Sequence, residues 1–325
     1  MRALVCKAFG STDDLVIEEL DDPVAGPGEI LVDIKAAGLN FPDILVIAGQ
    51  YQLKTPPPFI PGNEAAGVVS AVGDGVSRYS VGDKVIVMLR GGAFAEKCAV
   101  DENLVFPLPD QLSFAQGAGF SITYCTSYHA LKQSASLQPG ETLLVLGAAG
   151  GVGTTAIEIG KAMGARVIAA ASDDDKLEFA KSVGADDLIN YTDATLNDAV
   201  KEITDGAGAD VIYDPVGGEL AQQALRATAW HGRYLVIGFA SGEIPQFPAN
   251  LPLLKEASIV GVWWGTWSAK NPQAQMKNVQ EMALMIAAGR LKPKVTAEYR
   301  LEQFKDAFRS ISERKVKGKI VFTLP

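Results

Sequence analysis

The chain has 325 residues, long enough for two cores, with 48% apolar and 21% charged residues, the balance of a soluble globular protein. Its net charge of −9 excludes a phosphate-backbone binder, which needs a surplus of Lys and Arg, yet leaves room for a local basic site holding one phosphate. The opening "MRALVCKAFG" lacks the apolar core of a secretory signal, and no run approaches the ~20 apolar residues of a membrane span. The three cysteines, Cys6, Cys98 and Cys125, are scattered and odd in number, which implies a reduced, cytoplasmic setting and no disulfide framework.

In chain order, residues 1 to 120 are rich in Gly and Pro. Short β-branched runs, "EILVDIKAAGL", "AAGVVSAVG" and "GDKVIVM", read as strands separated by the turn segments "AGPGE" and "TPPPFIPGN", the texture of an irregular β-domain. From about Leu137 the pattern changes. The apolar runs "TLLVLG", "ARVIAAA", "DDLIN", "ADVIYDP", "RYLVIGF" and "SIVGVWW" alternate with helical periodicity over Val152–Met163, Asp175–Val183, Thr195–Thr204 and Leu220–Trp230. Fully apolar strands alternating with helices predict an α/β domain with a parallel, doubly wound sheet of six strands, spanning 121–292. The tail 293–325, with "RLEQFKDAFRSISERKVKGKIVFTLP", resumes a helix and then a strand, and is predicted to return to the first domain.

The stretch "LGAAGGVG" lies between a strand-like and a helix-like run. Set against G-x-G-x-x-G, it has Ala148 in the first glycine place and Gly150 and Gly153 in the second and third. Ala149, Gly150, Gly151, Val152 and Gly153 are the candidate pyrophosphate cradle, with the helix N-terminus supplying N–H groups and a favourable dipole. The alternative is a plain strand–helix turn that binds nothing. The second strand ends Ala169–Ala170–Ala171–Ser172, with no acid at its tip to accept ribose hydroxyls. Ser172 and, one helical turn on, Lys176 are candidates for a 2′-phosphate, and Tyr191 for the adenine side. NADPH is therefore the expected cofactor. Asp173, Asp174 and Asp175 are expected to cap a helix with side chains outward, and one turned inward would oppose the phosphate.

The whole chain resembles a zinc-independent quinone oxidoreductase of the medium-chain dehydrogenase/reductase superfamily. The resemblance is carried by "AAGLNFPDILVIAGQY", "PFIPGNEAAGVVSAVGDGV", the glycine stretch with its following strand and helix, and "DPVGG", "LVIGFASGEIP" and "GVWWG" in that order. It implies a GroES-like β-domain built from both chain ends, with a Rossmann domain inserted. Zinc-dependent relatives carry Cys, His or carboxylate ligands. Here "LNFPD" and Gly62–Asn63–Glu64 stand at the corresponding places, and His129 and His231 lie far away in sequence, so no metal is expected and Glu64 reads as a structural carboxylate.

Hydride transfer asks the protein to place the reacting groups and to stabilise charge developing on an acceptor oxygen. The resemblance places Asn40 at the nicotinamide end, against the reading of a loop cap before Pro42. It aligns Tyr51 with the proton donor of 2-enoyl thioester reductases, against the reading of a phenol lining an aromatic pocket. Asp43 reads equally as a structural partner. Thr126, Val216, Ile237–Gly238–Phe239 and Trp263–Trp264 are implied nicotinamide neighbours, the two tryptophans reading also as sheet-edge packing or a homodimer contact. Lys319 reads as a phosphate contact or as a solvated lysine. Three functions follow: an NADPH-dependent reductase of quinones or enone-type electrophiles, an enoyl thioester reductase using Tyr51, and a non-catalytic NADPH-binding protein. None involves nucleic acid or membrane.

Overall fold

Alternating burial along Glu29–Leu39, with Ile30, Val32 and Ile34 inward, marks the strand around which the N-terminal part of the chain is organised. The computed structural model describes residues 1–325 in two compact units, Met1–Ile122 with Pro293–Pro325, and Thr123–Lys292. In the first unit, β1 (Arg2–Val5) and β2 (Val16–Glu19) form an antiparallel pair. The main sheet contains β3 (Glu29–Leu39), β4 (Glu64–Val72), β5 (Lys84–Met88), β6 (Lys97–Asp101) and β7 (Val105–Pro107). The short helices α1 (Phe41–Ile47) and α2 (Phe114–Ala118) follow β3 and β7.

The second unit begins on α3 (Ser121–His129) and carries one parallel sheet: β8 (Thr142–Leu146), β9 (Arg166–Ala171), β10 (Asp187–Asn190), β11 (Ala209–Asp214), β12 (Thr228–Val236) and β13 (Ser258–Gly261). The order β10-β9-β8-β11-β12-β13 reverses direction between β8 and β11, which opens a crevice at their carboxyl ends. Helices α4 (Gly151–Ala162), α5 (Asp174–Val183), α6 (Leu196–Ile203) and α7 (Gly218–Arg226) make the crossovers, and α8 (Asn250–Lys255) precedes β13. Helices α9 (Trp264–Lys270) and α10 (Pro272–Ala287) close the unit.

Two expected boundaries move. The helix predicted to reach Trp230 stops at Arg226, because β12 starts at Thr228. His231, at φ 58°, and Gly232, packed against Thr228, carry an irregularity in the ladder, so "TAWHGRYLV" is one bulged strand. The run "SIVGVWW" is a strand only to Gly261. Trp264 opens α9, where its buried indole donates to Gln275 Oε1 on α10 at 2.9 Å.

The tail completes the first unit with β14 (Val295–Arg300), α11 (Phe304–Ser312) and β15 (Lys319–Thr323). Strand β15 runs antiparallel to β3, with Ile320 opposite Leu39 and Thr323 opposite Ala36. Helix α11 buries Phe304, Ala307 and Phe308, and Phe308 and Phe322 both meet Phe94 edge-on in the core. No helix is long and apolar enough to cross a membrane.

Candidate functional site

The β3–β15 register dictates what surrounds Asn40. With Ile320 opposite Leu39, Lys319 arrives beside the residue that ends β3 and caps α1. Lys319 is 6% exposed, and its ammonium donates to Leu39 O (2.9 Å) and Asn40 Oδ1 (2.6 Å) and pairs with Glu64 Oε1 at 2.7 Å. An ammonium has three donors and no acceptor, so these contacts saturate it. Lys319 is thus neither a solvated lysine nor free to hold a cofactor phosphate, as the sequence reading had it; it neutralises the fully buried Glu64. The same logic orients Asn40. The atom facing a lysine must be the amide oxygen, so Nδ2 faces Glu64 Oε1, at 2.9 Å. Asn40 is held by charge on both sides, with one Nδ2 hydrogen on Glu64 Oε1 and the other directed at Gly38 O at 3.5 Å.

The helix start adds a second carboxylate. Pro42 in the first turn of α1 fixes the backbone, and Asp43 Oδ2 accepts the Asn40 N–H at 2.8 Å, while Oδ1 accepts Asn63 Nδ2 at 3.0 Å. Glu64 Oε2 accepts the Ile122 N–H at 2.8 Å. Complete burial pushes the Asp43 carboxyl up to about 7, against the Asn40 N–H and the Lys319 charge, which favour the anion. Tyr51 follows α1. Its phenol is raised above the ordinary value by burial and by the Asp43 charge, so it stays protonated at neutral pH. Of the groups named from sequence in this unit, the structure gathers Asn40, Asp43, Glu64 and Lys319 into one hydrogen-bonded cluster, with Tyr51 within electrostatic reach of Asp43.

These donors do not fit a zinc ion. Glu64 is spent on Lys319, Asn40 and a backbone amide, Asn63 is spent on Asp43, and no group of three or more His, Cys, Asp and Glu is arranged to hold a metal.

In the second unit the glycine stretch joins β8 to α4. The tight-turn conformation sits at Gly147, with φ 56°, where a Cβ would meet Val216 Cγ2 at 2.9 Å. The tight-turn glycine is therefore Gly147, one residue before Ala148, which stands in the first place of G-x-G-x-x-G with Gly150 and Gly153 in the second and third. A Cβ on Gly153 would run into Gly147 O, so Gly153 allows α4 to pack against the turn. Gly150 is the N-cap of α4 and brings no capping side chain, unlike Ser113 on α2 or Asp173 on α5. The first-turn N–H groups at Gly151, Val152 and Gly153 lack intrahelical acceptors, so this end of α4, in the crevice beside β11, fits a pyrophosphate. Ala149 is buried behind it. Ser127 on α3 bonds Thr155 Oγ1 and Tyr213 OH, both at 2.8 Å, and donates to Val152 O at 3.1 Å, which ties α3, α4 and β11 together beside half-buried Thr126.

At the tip of β9, Lys176 Nζ donates to Ser172 Oγ at 2.9 Å and pairs with Asp173 Oδ2 at 2.8 Å. Ser172 Oγ donates to the same oxygen at 3.0 Å, while Asp173 Oδ1 caps α5 by accepting the Lys176 N–H at 2.9 Å. Asp174 and Asp175 are exposed, as expected, but Asp173 has one oxygen turned to the tip, so the tip is not free of acid. Tyr191 follows β10, its N–H on Ala171 O at 3.2 Å.

One organiser was missed from sequence. Asp214, at the end of β11, is buried. Its Oδ1 accepts the N–H groups of Val216 (2.7 Å) and Gly217 (2.9 Å), its Oδ2 accepts the Tyr234 hydroxyl, and its carbonyl accepts Ile237 N–H at 2.9 Å. It shapes the loops bearing Val216 and Ile237–Gly238–Phe239. The "DPVGG" pattern marked the turn, but only the fold shows that the aspartate carries it. Trp264 is committed to Gln275, and Trp263 is 48% exposed, so the pair does not act as one unit.

Residues 26–110 match the alcohol dehydrogenase GroES-like domain and 151–282 the zinc-binding dehydrogenase family. The chain is 41% identical over 324 residues to a quinone oxidoreductase-like protein 2 homolog of Nematostella vectensis, covering 98% of this chain and 88% of the relative. A probable oxidoreductase from Mycobacterium abscessus superposes with a TM-score of 0.91 at 38% identity, covering 100% of this chain and 99% of the other. The Escherichia coli quinone oxidoreductase complexed with NADPH superposes with a TM-score of 0.93 at 27% identity, over 100% of both chains.

Proposed function

Since the chain belongs to the quinone oxidoreductase family of medium-chain dehydrogenases/reductases, with its GroES-like sheet and its parallel Rossmann sheet, we propose that it reduces quinones or similar small electrophilic acceptors with NADPH, without a metal. The observation that carries this reading is the uncapped start of α4 behind Gly147, Gly150 and Gly153, one strand from the tip that bears Ser172 and Lys176. When bound, NADPH supplies the hydride. The chain's residues do the rest. Backbone N–H groups at Gly151–Gly153 take the pyrophosphate, the Ser172–Asp173–Lys176 tip faces the adenosine ribose, and Asp214 sets the loops bearing Val216 and Ile237–Gly238. The Lys319–Glu64–Asn40 cluster keeps Asn40 in one orientation. A quinone that takes up a hydride also takes up a proton to give the hydroquinone, and the Tyr51 phenol holds such a proton at neutral pH.

That protonated phenol also favours a second reading, reduction of an enoyl thioester, where a proton must reach carbon. A steady-state screen of NADPH and NADH oxidation against quinones, enones and enoyl thioesters tests both, with Tyr51→Phe as the discriminating variant. Near-normal quinone turnover by the variant supports the first reading; a hundredfold loss confined to enoyl thioesters supports the second. No turnover with any acceptor despite tight NADPH binding would leave a non-catalytic binder.

The three cysteines are buried free thiols, Cys98 pushed up to about 12 by burial, which accords with a reduced cytoplasmic setting. The edge strand β13 supports a homodimer. It is unpaired on one side, with Ile259 38% exposed.

A further inference from the structure

Ser172, Asp173 and Lys176 form a closed triangle at the tip of β9, and its hydrogen-bond directions are determined. The single Ser172 hydroxyl hydrogen goes to Asp173 Oδ2, so Ser172 has no proton left for a phosphate. Lys176 spends one donor on Ser172 Oγ and one on Asp173 Oδ2, and its charge is already matched by the carboxylate. Asp173 lies about twenty residues beyond Gly153, where dinucleotide sites that bind the unphosphorylated ribose place an acid. Its Oδ1 is committed to the helix cap, and Oδ2 is the oxygen turned to the tip. The side chains of Lys176 and Asp173 are 24% and 45% exposed, so both are open to a ligand.

We propose that Asp173 is the specificity-determining residue of this tip. Its carboxylate holds Ser172 and Lys176 away from a 2′-phosphate and accepts a ribose hydroxyl in its place, so the chain takes NADH beside NADPH with little discrimination. The inference rests on the reading of the second unit as a dinucleotide site and goes beyond it by naming the residue that weakens the preference for the phosphorylated cofactor. For NADPH to bind, Ser172 must turn its hydroxyl and Lys176 must exchange Asp173 for the phosphate, beside a like charge that remains.

The test is fluorescence titration of NADPH and NADH, at one ionic strength, into the full chain and its Asp173→Asn, Lys176→Ala and doubly substituted variants. Asparagine keeps the cap acceptor and loses the charge. Asp173→Ser, which also caps, serves as the second variant should the first fold poorly. The NADH-to-NADPH ratio of dissociation constants is expected to be below about tenfold in the unmodified chain and to rise about tenfold in Asp173→Asn. That rise should vanish when Lys176 is also Ala. A rise of threefold or more that depends on Lys176 supports the proposal. A smaller rise, or one that survives without Lys176, overturns it. Binding of neither dinucleotide to any of the proteins would overturn the cofactor reading itself, a different result from binding with an unchanged ratio.

Discussion

At Asp43, burial and hydrogen bonding oppose each other. The carboxyl is fully enclosed beside Glu64, yet both its oxygens receive N–H donors and Lys319 is near. Burial wins and raises it from the ordinary 3.8 to about 7. The folded chain then holds this proton more tightly than the unfolded chain. The associated stability is full below about pH 4 and is lost as pH rises to about 7, with a slope of up to about 1.4 kcal/mol per unit. Asp43→Asn removes the titration while keeping an acceptor for the Asn40 N–H, and the Asn63 amide can turn to match it. Urea unfolding at pH 5 and pH 7.5 should show the unmodified chain losing about 1–3 kcal/mol more than the variant across that interval. Equal pH slopes in the two proteins would show that Asp43 is ionised throughout. The neighbouring Lys319–Glu64 pair belongs to the same calculation, because an unpaired buried charge would cost about 3–5 kcal/mol.

Among the elements, the turn from β8 to α4 separates two uses of glycine that sequence treats alike. Gly153 is a packing glycine, since a methyl there would collide with the backbone oxygen of Gly147. Gly150 has ordinary backbone angles (φ −74°) and its missing methyl would lie 3.3 Å from that same oxygen, a tight but tolerable contact. Gly153→Ala is therefore expected to lower stability by about 1–3 kcal/mol, the cost of overpacking. Gly150→Ala should unfold within about 0.5 kcal/mol of the unmodified chain and yet bind NADPH at least tenfold more weakly, because the methyl stands where backbone must approach pyrophosphate. Chemical denaturation and cofactor titration of the two variants check this. Equal affinity of Gly150→Ala and the unmodified chain would remove Gly150 from the cradle.

For the whole molecule, the feature that bears on assembly is the edge strand β13, which ends the six-stranded sheet. An edge strand exposing Ile259, with Trp263 exposed just beyond it and Trp230 on β12, invites a second strand. The proposed homodimer would satisfy it by two-fold pairing with a second copy of the chain. Light scattering on the eluting protein should give twice the chain mass, and Ile259→Lys, which puts a charge on the edge, should give the single-chain mass with an unchanged unfolding midpoint of the remaining fold. A single-chain mass for the unmodified protein would refute the pairing.

The α/β class was legible in sequence because period and apolarity are local properties: "TLLVLG" and "ARVIAAA" can hardly be other than buried strands, and the glycines between β8 and α4 mark a turn. The family was legible for the same reason, as a string of local motifs in order. What sequence could not supply was any partner distant along the chain. Lys319 meets Glu64 and Asn40 only because β15 returns antiparallel to β3, some 280 residues away. Asp173 read as an outward cap, since which of its oxygens faces the tip depends on side-chain direction at the end of β9. Asp214 read as part of a turn until Tyr234, from the neighbouring strand, was seen on its carboxylate. Spacing along the chain thus determined the elements and the glycine turn, while the charge balance of the Lys319–Glu64–Asn40 cluster was decided by strand register, which brings a buried acid to its base, and that of the Ser172–Asp173–Lys176 tip by side-chain direction.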